Sequence, residues 1–119
     1  MSYVCDIKQN EKMNKTEEFS KELQSIAELA KILSHPARLA ILQYLAKCKT
    51  CISGDISDFI PLSRTTVSQH LQELKKVGLI KGEIDGLKIY YCIDHEKLNY
   101  MKELFGSFFN TVDSDCTNC

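Results

Sequence analysis

Between Pro61 and Ile93 the chain carries a series of stop and start signals whose order restricts its fold more than any other feature. Pro61-Leu62-Ser63 makes a tight corner. Ser63 is then a good helix N-cap, Val67, Leu71 and Leu74 recur at i, i+4 and i+7, and Gly78 stands where a helix ends. Leu79 to Ile84 and Leu87 to Ile93 are rich in β-formers, and Asp85-Gly86 between them is a preferred pair for a two-residue type I′ turn. A capped helix followed at once by a hairpin is expected.

Upstream of the corner the periodicity is helical throughout. Asn14 and Glu17 have capping-box spacing, and Leu23, Ile26, Leu29, Ala30, Ile32 and Leu33 follow at helical intervals, which predicts a first helix of about five turns. Ser34 and Pro36 open a second helix over roughly 35–47, with Leu39, Ile41, Leu42 and Leu45 on its apolar face. Ile52 to Ile60 carries Ile56, Phe59 and Ile60 on one side and stops at Pro61, so a short third helix is expected. Downstream, Asp94 is placed to cap a last helix bearing Leu98, Met101, Leu104, Phe105, Phe108 and Phe109. That helix is too apolar for a lone surface element, and something must cover it. Short helix, corner, capped helix and hairpin in this order make a winged helix-turn-helix. The expected fold is mainly α with a small β-hairpin, about five helices and a two-stranded wing. Residues 1–13 are expected to form an arm, 14–112 the domain and 113–119 a polar tail.

Length and charge narrow the functional classes. A chain of 119 residues suits one domain, and 44% apolar with 26% charged residues is ordinary globular composition. No apolar run reaches the roughly 20 residues a membrane span needs, and residues 1–20 lack the apolar stretch of an export signal. A cytoplasmic protein with no membrane partner is expected. The net charge of −1 is unusual for a nucleic-acid binder, but its distribution is uneven. Arg64, Lys75, Lys76, Lys81 and Lys88 outnumber Glu73, Glu83 and Asp85 in the helix and hairpin, whereas residues 94–119 are acidic.

Small hydroxyls and amides crowd the capped helix. With Val67, Leu71 and Leu74 set inward at 100° per residue, Thr65, Gln69, Gln72 and Lys76 point outward, flanked by Thr66 and Ser68. Glutamine can pair with adenine and threonine with a thymine methyl, while Ser63 and Arg64 sit at the helix start, where guanine or phosphate is within reach. Lys81 and Lys88 on the hairpin suit phosphate. His70 falls toward the inner side, where packing or hydrogen bonding competes with a DNA contact. A solvated face is the alternative reading of this helix.

With these residues in view, the chain resembles the ArsR/SmtB family of metalloregulators over roughly residues 22–110. The resemblance rests on Ser34-His35-Pro36-Ala37-Arg38-Leu39-Ala40-Ile41-Leu42, on Thr66-Val67-Ser68-Gln69-His70-Leu71, and on Gly78-Leu79-Ile80 with the hairpin. It implies a repressor of double-stranded operator DNA, not an enzyme, acting as a homodimer through its first and last helices. Leu23, Ile26, Leu104, Phe105, Phe108 and Phe109 would then line the interface. Symmetry agrees, because one reading helix offers few base contacts and two can read half-sites one helical turn apart.

Six cysteines remain to be placed. Cys48 and Cys51 form a C-x-x-C pair at the start of the third helix, and Cys116 and Cys119 form another at the C-terminus. Such pairs bind soft ions or exchange disulfides. Arsenic sensors of the resembling family often carry C-x-C here, but Ser53 stands at the second position, so Cys48 would replace it. Arsenic(III) takes three thiolates, the third from Cys116, Cys119 or Cys5; four would suit zinc or cadmium. Cys92 is expected in the core. Zinc sensors of the family often use Asp and His on the last helix; Asp94 and His95 are present but no later histidine follows, so that site is not expected. A thiol-redox or persulfide trigger is the alternative, a thiol-disulfide oxidoreductase a remote one, and a protein-binding winged helix a fourth.

Overall fold

The computed structural model describes residues 18–48, 51–85 and 88–114, with the backbone alone at 51–55, 84, 85, 88 and 114. Its elements are α1 (Lys21–Ile32), α2 (Pro36–Cys48), β1 (Cys51–Ile52), α3 (Ser53–Phe59), α4 (Arg64–Lys76), β2 (Ile80–Asp85), β3 (Lys88–Ile93) and α5 (His95–Ser114).

α1, α4 and α5 each start where a side chain satisfies unpaired N–H groups, whereas Ser34, expected to cap α2, donates its hydroxyl to the Lys31 carbonyl instead. In α1 that residue is Ser20, whose Oγ accepts from the Leu23 amide at 3.1 Å. The first helix therefore begins at Lys21 and spans 12 residues, shorter than the five turns expected from Asn14, which itself lies outside the described residues. The Pro36 start of α2 is as expected, with the His35 carbonyl accepting from Arg38 and Leu39. Ser63 caps α4, its Oγ accepting from the Thr66 amide at 3.2 Å. Asp94 caps α5, its Oδ1 accepting from the amides of Glu96 and Lys97. That helix runs to Ser114, two residues past the expected domain edge.

The end of α4 is fixed by a second device. Gly78 has φ +85°, its N–H bonds to the Lys75 carbonyl, and the Leu79 N–H bonds back to Leu74. This Schellman arrangement needs a left-handed residue, which glycine adopts without a Cβ clash. Gly78→Ala should lower the unfolding free energy by about 1–2 kcal/mol, measured by urea denaturation.

The sheet differs from the expected hairpin in two ways. It has three strands in the order β1-β3-β2, because the two-residue β1 pairs with β3, Cys51 opposite Tyr91 and Ile52 opposite Tyr90. A strand this short has no alternation to recognise. Within the hairpin, β2 extends through Asp85, which pairs with Lys88, so Asp85 is a strand residue and not the first residue of the turn; Gly86 lies outside the described residues. The pairing register thus sits one residue later than the turn signal implied.

Leu71, Leu74 and Val67 of α4 form the centre of the core with Ile41 and Leu45 of α2, Ile56 and Ile60 around α3, and Leu79, Ile80 and Tyr91 of the sheet region. Every element of the reading unit is thereby anchored to one apolar cluster. Phe59, expected on the inner side of α3, is instead largely exposed and stacks on Tyr44 at 4.4 Å between ring centroids. Cys92, expected in the core, is only half-buried. It lines a groove with Leu45, Ala46, Ile93 and His95.

Candidate nucleic-acid interface

Because α4 spends Val67, Leu71 and Leu74 on the core, its opposite side is left to solvent. Arg64, Thr65, Ser68, Gln69, Gln72 and Lys76 are exposed along it. The first turn carries no acidic residue, so the partial positive charge of the helix start is not neutralised by a neighbouring carboxylate. Ser63 and Thr66 have a more local task. The Ser63 hydroxyl lies 3.0 Å from Thr66 Oγ1 and also caps the helix, and Thr66 is half-buried. Lys76 lies 3.4 Å from Glu73 in an exposed ion pair, which solvent screening leaves weak enough for phosphate to displace.

The hairpin stands directly after this helix. Lys81, on β2 opposite Cys92, is exposed. Lys88 is the first residue of β3, opposite Asp85 at the end of β2. Lys75, in the last turn of α4, crosses to the sheet: a Cβ added at Gly82 would lie 3.5 Å from its Nζ and 3.2 Å from Tyr91 Cε1. The bare Gly82 backbone therefore lets the end of α4 and the wing approach each other closely.

His70 does not belong to the outward row. Arg38 Nε donates to His70 Nδ1 at 3.0 Å, Arg38 NH1 donates to the Ile32 carbonyl at 3.0 Å, and the His35 ring centroid lies 5.6 Å from that of His70. Burial first, then the Arg38 guanidinium and the His35 ring, hold the His70 imidazole below its ordinary pKa. Arg38 was visible in the sequence only as part of a family motif. Its partner is 32 residues away, and no local spacing signals the pair.

A hairpin of this kind behind a capped helix, with the helix's polar face free, has clear counterparts among known proteins. A helix-turn-helix domain model matches residues 33–83. The transcriptional regulator YgaV of Escherichia coli (strain K12) is 37% identical over 82 residues, covering 66% of this chain and 83% of that protein. The arsenical resistance operon repressor of Staphylococcus xylosus is 33% identical over 96 residues, covering 81% and 88%. The crystal structure of the repressor PagR of Bacillus anthracis superposes with a TM-score of 0.56 at 36% identity, covering 69% of this chain and 94% of that one. The chain belongs to the ArsR/SmtB family. This ArsR/SmtB protein is a DNA-binding transcriptional repressor and not an enzyme, and no helix among the described residues is long and apolar enough to cross a membrane.

The cysteines of this ArsR/SmtB protein are distributed differently from the expected pair at the start of α3. Cys48 is the exposed last residue of α2, and Cys51 opens β1, so the C-x-x-C straddles the connection between them. Cys5, Cys116 and Cys119 lie outside the described residues. Among the described residues no three His, Cys, Asp or Glu side chains converge on a metal position. Asp94, which precedes His95, is committed to capping α5.

Of the residues expected to line a dimer interface, Leu23 is exposed and Ile26 half-buried in α1. In α5, Leu104 is already buried within the protomer, Phe105 and Phe108 are half-buried, and Phe109 is 60% exposed, edge-on to Phe108 at 5.5 Å.

Proposed function

We propose that the protein represses transcription as a homodimer that sets α4 of each copy into successive major grooves of a palindromic operator and leaves the DNA when a thiol-binding inducer occupies Cys48 and Cys51. The observation that carries this reading is the free polar face of α4, bounded by exposed Arg64 at its start and by the wing behind its end. Thr65, Ser68, Gln69 and Gln72 then meet base edges, and Arg64, Lys76, Lys81 and Lys88 meet phosphates.

Dimerisation is supported by apolar surface that one protomer leaves uncovered. α1 and α5 lie against each other, and Phe19 just before α1, Leu23 on α1, and Phe109 and Val112 on α5 stay exposed. Exposed apolar side chains on two adjoining helices are covered most economically by a second copy.

For the inducer, the 48/51 pair is supported by where its two residues stand in the fold. Cys48 ends α2, whose Ile41 and Leu45 pack on the α4 core, and Cys51 is joined through β1 to β3, the inner strand of the wing. An ion held there by arsenic(III)-type thiolate coordination, with a third thiolate from Cys5, Cys116 or Cys119, pulls on both halves of the reading unit. Similarity to an arsenical resistance repressor favours arsenic(III), with zinc or cadmium as four-ligand alternatives. A coupling of about 1–3 kcal/mol changes DNA affinity roughly 5- to 150-fold.

The test is titration of the protein on its own upstream DNA with arsenite, cadmium, zinc and oxidant. Arsenite or cadmium should release wild type, and the double variant Cys48→Ser/Cys51→Ser should stay bound. Unchanged release from the double variant removes this pair from the mechanism. Release by oxidant alone, with a disulfide found by mass spectrometry, selects the redox reading.

A further inference from the structure

Arg38 ties the end of α1, the first turn of α2 and the flank of α4 together through polar contacts. Its NH1 satisfies the carbonyl of Ile32, the last residue of α1, one of the acceptors that a helix end leaves unpaired. Its Nε donates to Nδ1 of His70, on the flank of α4 between the inward leucines and the outward glutamines. One rigid guanidinium fork therefore spans from the end of α1 to the middle of the reading helix, while its backbone sits in the first turn of α2.

The bond to His70 dictates a protonation state. An arginine Nε can only donate, so Nδ1 of His70 must be the unprotonated nitrogen and the ring proton resides on Nε2. A protonated His70 would present a second donor to the Arg38 donor, and a positive charge to a positive charge. The charged or titratable groups that act on His70 from the elements packed around it are Arg38 and His35, both basic, and no carboxylate among the described residues offsets them. The His70 pKa is accordingly depressed, so the contact is present above the ordinary imidazole value of about 6.5 and is lost as pH falls through the lower folded value.

We propose that Arg38 is a positioning residue for DNA recognition, holding α4 at its angle to α1 through His70, and that proton uptake by His70 releases this strut and weakens specific DNA binding. The inference rests on α4 reading the duplex. It predicts a pH dependence opposite to simple electrostatics, since an added positive charge on the protein by itself strengthens attraction to phosphate.

Two variants test it, with binding measured on the protein's own upstream duplex and on a random duplex at a series of pH values from about 7.5 down to about 4.5, a range that extends well below ordinary imidazole titration. Arg38→Lys keeps the charge but replaces the two-donor fork with a single ammonium. It should weaken binding to the upstream duplex about tenfold at the highest pH while leaving random-duplex binding within about twofold. His70→Gln substitutes an amide whose oxygen accepts from Arg38 throughout that range. Wild type should lose about fivefold or more in the ratio of specific to random binding on acidification, and His70→Gln should show a flat ratio. His35 is unchanged in both proteins, so a difference between their profiles reports on His70. Circular dichroism melting checks that Arg38→Lys is folded, and should it not be, the His70→Gln profile stands alone. Equal losses on both duplexes with Arg38→Lys, or a His70→Gln profile that superimposes on wild type, overturns the proposal. Failure of wild type to prefer its upstream duplex at any pH overturns instead the reading on which it rests.

Discussion

Replacing Leu71 with alanine should lower the unfolding free energy by about 2–5 kcal/mol. The side chain is fully buried at the middle of α4, within a core that α2, α3, β2 and β3 share. Truncation removes its transfer energy and leaves a hole that the surrounding elements cannot all close. Domains of this size hold only about 5–15 kcal/mol of net stability, so the loss is a large fraction of the total. Urea denaturation should show a lowered midpoint with an unchanged slope. DNA binding should fail with it in cells, through loss of folded protein and not through a changed surface. A midpoint within experimental error of wild type would mean that Leu71 is not the centre of the core.

The second large effect leaves stability alone. Gln69 and Arg64 are both exposed on α4, away from the apolar cluster that holds the fold. Substituting either with alanine should therefore change stability by less than about 0.5 kcal/mol. Their binding phenotypes should differ from each other. Gln69→Ala removes a base-edge partner worth about 1–3 kcal/mol, so preference for the operator should fall about 5- to 150-fold in each half-site while the salt dependence stays put. Arg64→Ala, if the residue meets phosphate, should weaken operator and random duplex alike and reduce the slope of log affinity against log salt by about 0.9 for each phosphate no longer neutralised. Identical behaviour of the two variants would contradict the division of labour along α4.

What could be foreseen from the residues follows a simple physical division. The reading helix was legible because its signals are local: Ser63 bonds to a residue three away, Gly78 supplies a backbone angle, and three aliphatic residues repeat at helical spacing. The start of α1 was not, since Asn14 and Ser20 are both competent caps and the choice between them depends on where the helix meets the rest of the protein. The β2–β3 register sits one residue later than expected for a related reason. Asp85-Gly86 is a favourable pair taken alone, but cross-strand pairing over six residue pairs outweighs a single turn preference. The two-residue β1 and the Arg38–His70 bond are long-range features with no local pattern behind them. His70 could be turned inward by counting degrees around a helix, yet its partner could not be named that way.

The candidate site shows the same limit from the chemical side. A C-x-x-C spacing states that two thiols are near each other along the chain, whereas the fold puts them on different elements, one at the end of α2 and one on a strand joined to the wing. That separation is what makes the pair useful as a switch in the proposed mechanism, because a bond across it links two parts that must stay in register on DNA.

The central claim is that two copies of α4 enter one face of a duplex together. Hydroxyl-radical footprinting of the protein on its own upstream DNA tests it most directly. Two protected patches related by a dyad, centred about 10–10.5 bp apart or a multiple of that spacing, are the expected result, while protection that random competitor abolishes at equal concentration, or a single isolated patch, would contradict the account.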